Sequence, residues 1–235
     1  VVENAGGAGS TIGTTKAFRA PADGHTLLVT HIGMATTPTL YRNLSYKVED
    51  FEHLGLINEV PMVVVGKPSL AANSFKELQG WIGENKGRIN LAHAGLGSAS
   101  HLCGLLLQNA LKTEMTTVPY KGTAPAMTDL IGGQVQTMIE TMPAALPHIK
   151  SGALRPLAIA MPSRSANLPD VPTAAEAGLP DFIVTSMFGL LAPAKTPPAL
   201  VAKLTAALEK VLAQKDTQDR MAAQGVITGY LNPVD

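Results

Sequence analysis

The feature that most constrains this chain is a device that recurs along it: a short apolar strand, a glycine-bearing loop, then a helix start. Asn90-Leu91-Ala92 runs into Ala94-Gly95-Leu96-Gly97-Ser98-Ala99-Ser100-His101 and a helix over residues 101–112. Pro119-Tyr120-Lys121-Gly122-Thr123 repeats the pattern and leads to a helix over 123–131, stopped by Gly132-Gly133. Near the start, Gly6-Gly7-Ala8-Gly9-Ser10-Thr11-Ile12-Gly13 leads to a helix over 14–20. Strands that alternate with helices predict an α/β fold, parallel sheets with helices on both faces. In open sheets of that kind ligands sit at the carboxyl ends of the strands.

The remaining segments keep the alternation. Strands are expected at Leu27-Leu28-Val29, 61–65, 135–139, 157–160 and 188–191. Ser74 is expected to start a helix with Phe75, Leu78, Trp81 and Ile82 on one face. A short helix is expected over 143–150. Thr173 and Glu176 have capping-box spacing for another. Thr196-Pro197 should open a last helix with Leu200, Leu204, Leu208 and Val211 on one stripe. Val1-Val2-Glu3-Asn4 reads as the end of a strand, and Asn232-Pro233-Val234-Asp235 as a loop, so both ends look cut.

Val63-Val64-Val65-Gly66-Lys67-Pro68 and Gly189-Leu190-Leu191-Ala192-Pro193 are alike in kind: an apolar strand running into proline. As the two crossings between lobes they would give residues 1–65 and 189–235 to one lobe and 66–188 to the other. Two ordinary strand-to-helix connections fit the pattern equally.

Composition narrows the partners. Of 235 residues, 46% are hydrophobic and 15% charged, which places the chain among globular proteins. Lys plus Arg equals Asp plus Glu at 18 each, so the basic face that nucleic acid requires is not indicated. Small anions remain possible, because backbone N–H groups at a helix start hold them without side-chain charge. Cys103 is single and expected to pack as a small apolar residue on its helix. No apolar run reaches the roughly 20 residues needed to cross a bilayer.

The glycine loops carry the candidate chemistry. Gly7, Ala8, Gly9, Ser10 and Thr11 either approach an anion with bare backbone or merely lead flexibly into a helix. Their spacing matches neither a Walker loop nor a dinucleotide fingerprint. Gly97, Ser98, Ser100 and His101 offer hydroxyl and ring donors to a ligand, a plain helix cap, or a Ser–His nucleophile without its G-x-S-x-G elbow. Thr123, after Gly122, is a binding hydroxyl or an N-cap whose hydroxyl is used by its own helix. Glu140 ends a strand where a carboxylate meets a ligand amine or hydroxyl, or caps the following helix. Thr30, His31 and Ile32 emerge at the end of the first clear strand. The six histidines, at 25, 31, 53, 93, 101 and 148, show no i, i+4 pair. No metal and no cofactor are expected, and His25, His53, His93 and His148 read as surface or core residues.

At this point the residues resemble the Bug/TctC solute-binding proteins of tripartite tricarboxylate transporters. The likeness rests on Glu3-Asn4 with Gly6-Gly7-Ala8-Gly9 and Ile12-Gly13, and on Pro21-x-Asp23-Gly24-x-Thr26-Leu27-Leu28. It continues through Val118-Pro119-Tyr120-Lys121-Gly122, Asp129-Leu130-x-Gly132-Gly133-Gln134-Val135, and Leu168-Pro169-Asp170-Val171-Pro172-Thr173 with Glu176-Ala177-Gly178. Phe188-Gly189-Leu190-Leu191-Ala192-Pro193 completes it, so it covers essentially the whole chain in order.

The resemblance implies a periplasmic-binding-protein fold of type II kind, two α/β lobes with a ligand cleft. It implies a periplasmic, monomeric, non-enzymatic protein without metal or cofactor, which hands a small carboxylate to membrane transporter subunits. A ligand-presenting sensor for a two-component partner is the alternative within the family, and a Ser–His hydrolase the alternative outside it. On matching positions the binding loops are Gly7 to Thr11, Thr30 to Ile32, Gly97 to His101, Gly122 and Thr123, Glu140, and Ser186, Met187 and Phe188. The resemblance also implies an earlier strand with a ligand-contacting loop, and a final helix, beyond this stretch. Three positions depart from the family's habit: Ala5 in place of an Arg-Pro or similar, Glu140 in place of Asp, and Met187 in place of Trp.

Overall fold

The computed structural model of the chain describes residues 1–85 and 87–231. Its helices are α1 (Thr11–Phe18), α2 (Gly33–Leu40), α3 (Phe75–Glu84), α4 (Ala99–Ala110), α5 (Thr123–Ile131), α6 (Met142–Lys150), α7 (Pro198–Leu212) and α8 (Lys215–Ala223). Its strands are β1 (Leu28–His31), β2 (Phe51–Gly66), β3 (Asn90–His93), β4 (Thr116–Pro119), β5 (Thr137–Thr141), β6 (Arg155–Ile159), β7 (Thr185–Pro193) and β8 (Ile227–Leu231). The chain divides into two compact units, Val1–Glu59 with Met187–Asp235, and Val60–Ser186. Both divisions fall inside strands, β2 and β7, each of which runs from one unit into the other.

The second unit is organised by the apolar half of β2. Val63 and Val65 point into one core with Ala92, Met127, Met138 and Ile159. Met62 and Val64 point into the other with Phe75, Leu78, Leu91 and Ile139. A strand buried on both faces reads as an unbroken apolar run, which is why this half is visible in the sequence. The sheet order is β6-β2-β5-β3-β4. β3 is parallel to β4 and β5, whereas β2 runs antiparallel to β5 and β6. The sheet is therefore mixed, not parallel as the alternation suggested: β2 enters from the first unit with no crossover helix to set it parallel. Ser74 caps α3 by accepting from the Glu77 N–H at 3.2 Å, and Phe75, Leu78 and Ile82 bury one stripe.

The first unit has the smaller core, built on Ala17, Met34, Tyr46, Phe51 and Leu191. β1 pairs antiparallel with β7, from Leu28 against Leu191 to His31 against Phe188. β8 pairs antiparallel with the other half of β2.

Several local expectations give way. Thr173 and Glu176 form their reciprocal bonds, at 2.8 and 3.1 Å, yet the segment stays a turn, cut short by Gly178 and Pro180. Thr196 caps no helix; its hydroxyl donates back to the Pro193 carbonyl, and Pro197 occupies the cap position of α7. Leu200, Leu204 and Leu208 are half-buried, and Val211 is exposed. Residues 1–4 form no strand. The expected loop at 232–235 lies outside the described residues. No helix among the described residues is long and apolar enough to cross a membrane.

Candidate functional site

Because β3, β4 and β5 are parallel neighbours, their carboxyl ends share one edge of the second unit's sheet. The loops that leave them are tied together: Tyr120 N–H donates to the His93 carbonyl at 2.9 Å, and Gly122 N–H to the Ala94 carbonyl at 3.1 Å. This brings Gly97, Ser98, Ser100, His101, Gly122, Thr123 and Glu140 to one loop cluster at the starts of α4, α5 and α6.

The hydroxyls of α4 are largely used by the fold. Ser98 accepts from the His101 N–H at 3.2 Å and Ser100 from the Ala94 N–H at 3.0 Å. The two oxygens are 3.1 Å apart, so one hydroxyl donates to the other and a single O–H remains. Among the described residues the bonds of these two hydroxyls run to backbone N–H groups and to each other. Thr123 is not the cap of its helix either. Gly122, at φ 111, occupies that position without a side-chain cap, and the Thr123 hydroxyl donates to Glu140 Oε2 at 3.0 Å. Glu140 Oε1 accepts from both the N–H and the hydroxyl of Thr141, at 2.8 and 3.1 Å. Burial pushes the Glu140 carboxyl above its ordinary range, while these bonds pull it back.

In the first unit the glycine loop is strained. Ala8, Gly9 and Ser10 take positive φ in succession, at 46°, 59° and 76°. Two of these are residues that rarely visit that region, a cost of order 1–2 kcal/mol each. Thr11 secures the loop by donating to the Ala8 carbonyl at 2.8 Å. A Cβ on Gly33 would stand 3.3 Å from the Gly9 carbonyl oxygen, so the start of α2 abuts this loop, which joins Gly7 to Thr11 with Thr30, His31 and Ile32. The His31 ring lies 5.9 Å from the Phe188 ring, and Met187 beside it is exposed.

Three histidines share one device. His31 Nδ1 accepts from the Gly33 N–H at 3.0 Å, His93 Nδ1 from Gly95 and His101 Nδ1 from Gly97, both at 3.3 Å. An Nδ1 that accepts puts the ring proton on Nε2. Burial lowers the pKa of all three, so each is a neutral N–H donor at neutral pH. The His93 and His101 rings are 4.5 Å apart. His93 is thus a core residue, as expected, and also the support of His101. The pattern His-x-Gly at 31–33 and 93–95 is the signal for it. A Cβ on Gly33 would come within 2.8 Å of His31 Cε1. Gly33→Ala is therefore expected to turn the His31 ring and cost about 1–3 kcal/mol, read from a denaturant melt.

Among the described residues four buried polar side-chain atoms have no partner within the protein: Thr30 Oγ1, Asn58 Oδ1, Thr113 Oγ1 and Ser186 Oγ. Two of the four are positions already singled out. Asn58, on β2, is a candidate the sequence does not mark, since nothing separates it from a solvated strand residue. A depression of about 390 Å³ lies along α5 and α6, lined by Met127, Ile131 and His148, and reaches the cluster through Thr123.

Comparison with known proteins gives concordant findings. A family model described as "Tripartite tricarboxylate transporter family receptor" matches residues 1–232. A protein from Agrobacterium vitis, encoded in the TAR-I ttuE-ttuC' intergenic region, is 42% identical over 228 residues, which is 97% of this chain and 66% of the relative. The chain thus spans about two thirds of that relative's length. Among solved structures, the periplasmic binding protein BugD is 43% identical with a TM-score of 0.92, over 97% of this chain and 77% of that one. MatC from Rhodopseudomonas palustris, with bound malate, is 37% identical with a TM-score of 0.87, over 94% of this chain and 76% of that one.

Proposed function

This chain belongs to the TctC family of tripartite tricarboxylate transporter receptors, and on that premise we propose that it captures a small carboxylate and delivers it to the membrane subunits of such a transporter. It acts in the periplasm, as a monomer, and releases its ligand chemically unchanged. The candidate binding residues are, in the first unit, Gly7 to Thr11, Thr30 to Ile32, Met187 and Phe188, and, in the second, Gly97 to His101, Gly122, Thr123 and Ser186, with Glu140 bonded to Thr123.

The observation that carries this is the set of neutral donors. His31 and His101 hold their protons on Nε2 and are kept uncharged by burial. The first-turn N–H groups of α5 have no side-chain cap. Donors without compensating charge suit an anion that must be bound reversibly, because they attract a carboxylate without forming an ion pair. A dicarboxylate is favoured by the malate that occupies MatC.

A thermal-shift panel on the full-length protein tests the proposal. L-malate, succinate, citrate, benzoate and L-aspartate are compared with glucose. A true ligand at a hundredfold excess over its Kd adds about 2.7 kcal/mol of stability. His101→Ala should weaken the best acid by roughly 10-fold or more, the worth of one hydrogen bond to a charged group. A shift with glucose and none with any acid would overturn the carboxylate assignment.

A further inference from the structure

We propose that Glu140 does not bind the ligand itself but sets the polarity of the Thr123 hydroxyl, so that a carboxylate binds together with one proton. The inference rests on the function proposed above and deepens it.

The hydrogen-bond inventory forces the alternatives. Glu140 Oε1 is occupied by two donors, the N–H and the hydroxyl of Thr141. Oε2 has one partner, the Thr123 hydroxyl at 3.0 Å. With Glu140 ionised, Thr123 must give its only hydrogen to Oε2, and towards a ligand it can then only accept. A carboxylate also only accepts, so it meets a lone pair. With Glu140 neutral, its proton has one place to go, because Oε1 already receives two hydrogens. It sits on Oε2 and donates to Thr123 Oγ1. Thr123 then turns its own hydrogen outward. It is half-buried, and it follows Gly122, where a Cβ would meet no atom within 4 Å, so there is room beside it.

Burial favours the neutral form of Glu140, and the bonds from Thr141 and Thr123 favour the charged one. It is 4% exposed and forms no ion pair among the described residues. The groups on the elements packed around β5 supply no opposing charge nearby. Cys103 on α4 has its thiol pushed up to about 12, by burial first and then by Glu140, so it stays neutral. His93 on β3 and His101 on α4 are held neutral by burial. Asp129 on α5 is engaged by the Tyr120 hydroxyl at 2.7 Å. His148 and Lys150 lie in the last turn of α6, at the end away from β5. The half of β2 that pairs with β5 carries only apolar residues and Gly66.

The sign follows. The neutral form favours the ligand, so affinity is fully present below the titration of free Glu140. It declines as pH rises through the titration of the bound form, by up to tenfold per pH unit. Glu140→Gln mimics the neutral form: its amide donates to Thr123 and its carbonyl accepts from Thr141.

Calorimetry on the full-length protein decides it, using L-malate beside the panel acid with the largest thermal shift, from about pH 6 to 9 in buffers of differing ionisation enthalpy. The wild type should take up close to one proton per ligand on the alkaline side, where these acids are fully ionised. Glu140→Gln should bind at least as tightly, with uptake abolished and a flat pH profile. Residual uptake in this variant would belong to His93 or His101 and would overturn the assignment. So would wild-type binding without proton uptake, or a loss of tenfold or more in Glu140→Gln, which would mean that the carboxylate touches the ligand directly. Absence of binding by every acid would instead remove the proposed function, and this inference with it.

Discussion

Phe75→Ala is expected to cost about 3–5 kcal/mol of folding stability. Phe75 is wholly buried as the first residue of α3, and it shares one core with Met62, Leu78, Ile82, Leu91 and Ile139. Several of these lie on strands fixed by their own ladders, so they cannot close over the gap and the cavity term adds to the lost burial. A denaturant melt should show the midpoint falling with little change of slope. The candidate loops stand on the ends of β3, β4 and β5 and on α4 to α6, none of which contains Phe75. The folded variant should therefore bind its acid within a few fold of wild type. A loss under about 1 kcal/mol would mean that the core repacks and that α3 is less firmly seated than its burial indicates.

What was legible in the sequence follows from where burial leaves a periodic trace. Val63, Val64 and Val65 are hidden on both faces of a sheet, and the apolar run shows it. The other half of the same strand leaves no such trace, because Gly55, Asn58 and Glu59 interrupt any alternation in a segment only partly covered. α2 carries no helical signal because of its internal Pro38 and β-branched threonines, and α8 carries none because no residue in it is buried, which leaves no stripe to read. The mixed sheet could not be foreseen, since alternation reports the order of elements and not the direction in which a shared strand enters.

The candidate loops were found by glycine, and the reason is physical. Gly7, Gly9, Gly97 and Gly122 all adopt positive φ, so the backbone needs glycine there and the sequence advertises the turn. Hydroxyl allegiance is another matter. Whether Thr123 caps its helix or serves Glu140 depends on a residue 17 positions away, which no local pattern encodes. The same holds for Ser98 and Ser100, read as ligand donors and now seen to share one free hydrogen between them.

The second large effect has opposite signs in the free and bound protein. Thr30 Oγ1 and Ser186 Oγ are buried without a partner, their residues 6% and 1% exposed. A buried hydroxyl left unpaired costs about 1–3 kcal/mol. Removing it without changing shape should recover part of that, so Thr30→Val and Ser186→Ala are each expected to raise the stability of the ligand-free protein by about 1 kcal/mol. If these hydroxyls complete their hydrogen bonding on the carboxylate, the same substitutions should weaken its binding by about 1.5–3 kcal/mol, roughly 10- to 150-fold, since a charged acceptor is lost. The first unit holds Thr30 in a strand register against Gly189, and valine keeps that β-branched shape, so the ladder should survive. Melts with and without the acid therefore cross: the variants are more stable alone and gain less on addition of ligand. A variant destabilised in the free state would show that its hydroxyl serves the fold, and unchanged affinity would take that residue out of the binding set. A hydroxyl unpaired in the free protein and paired on the carboxylate makes the bound state the better satisfied of the two, so the stability gained on adding the acid reads that pairing directly.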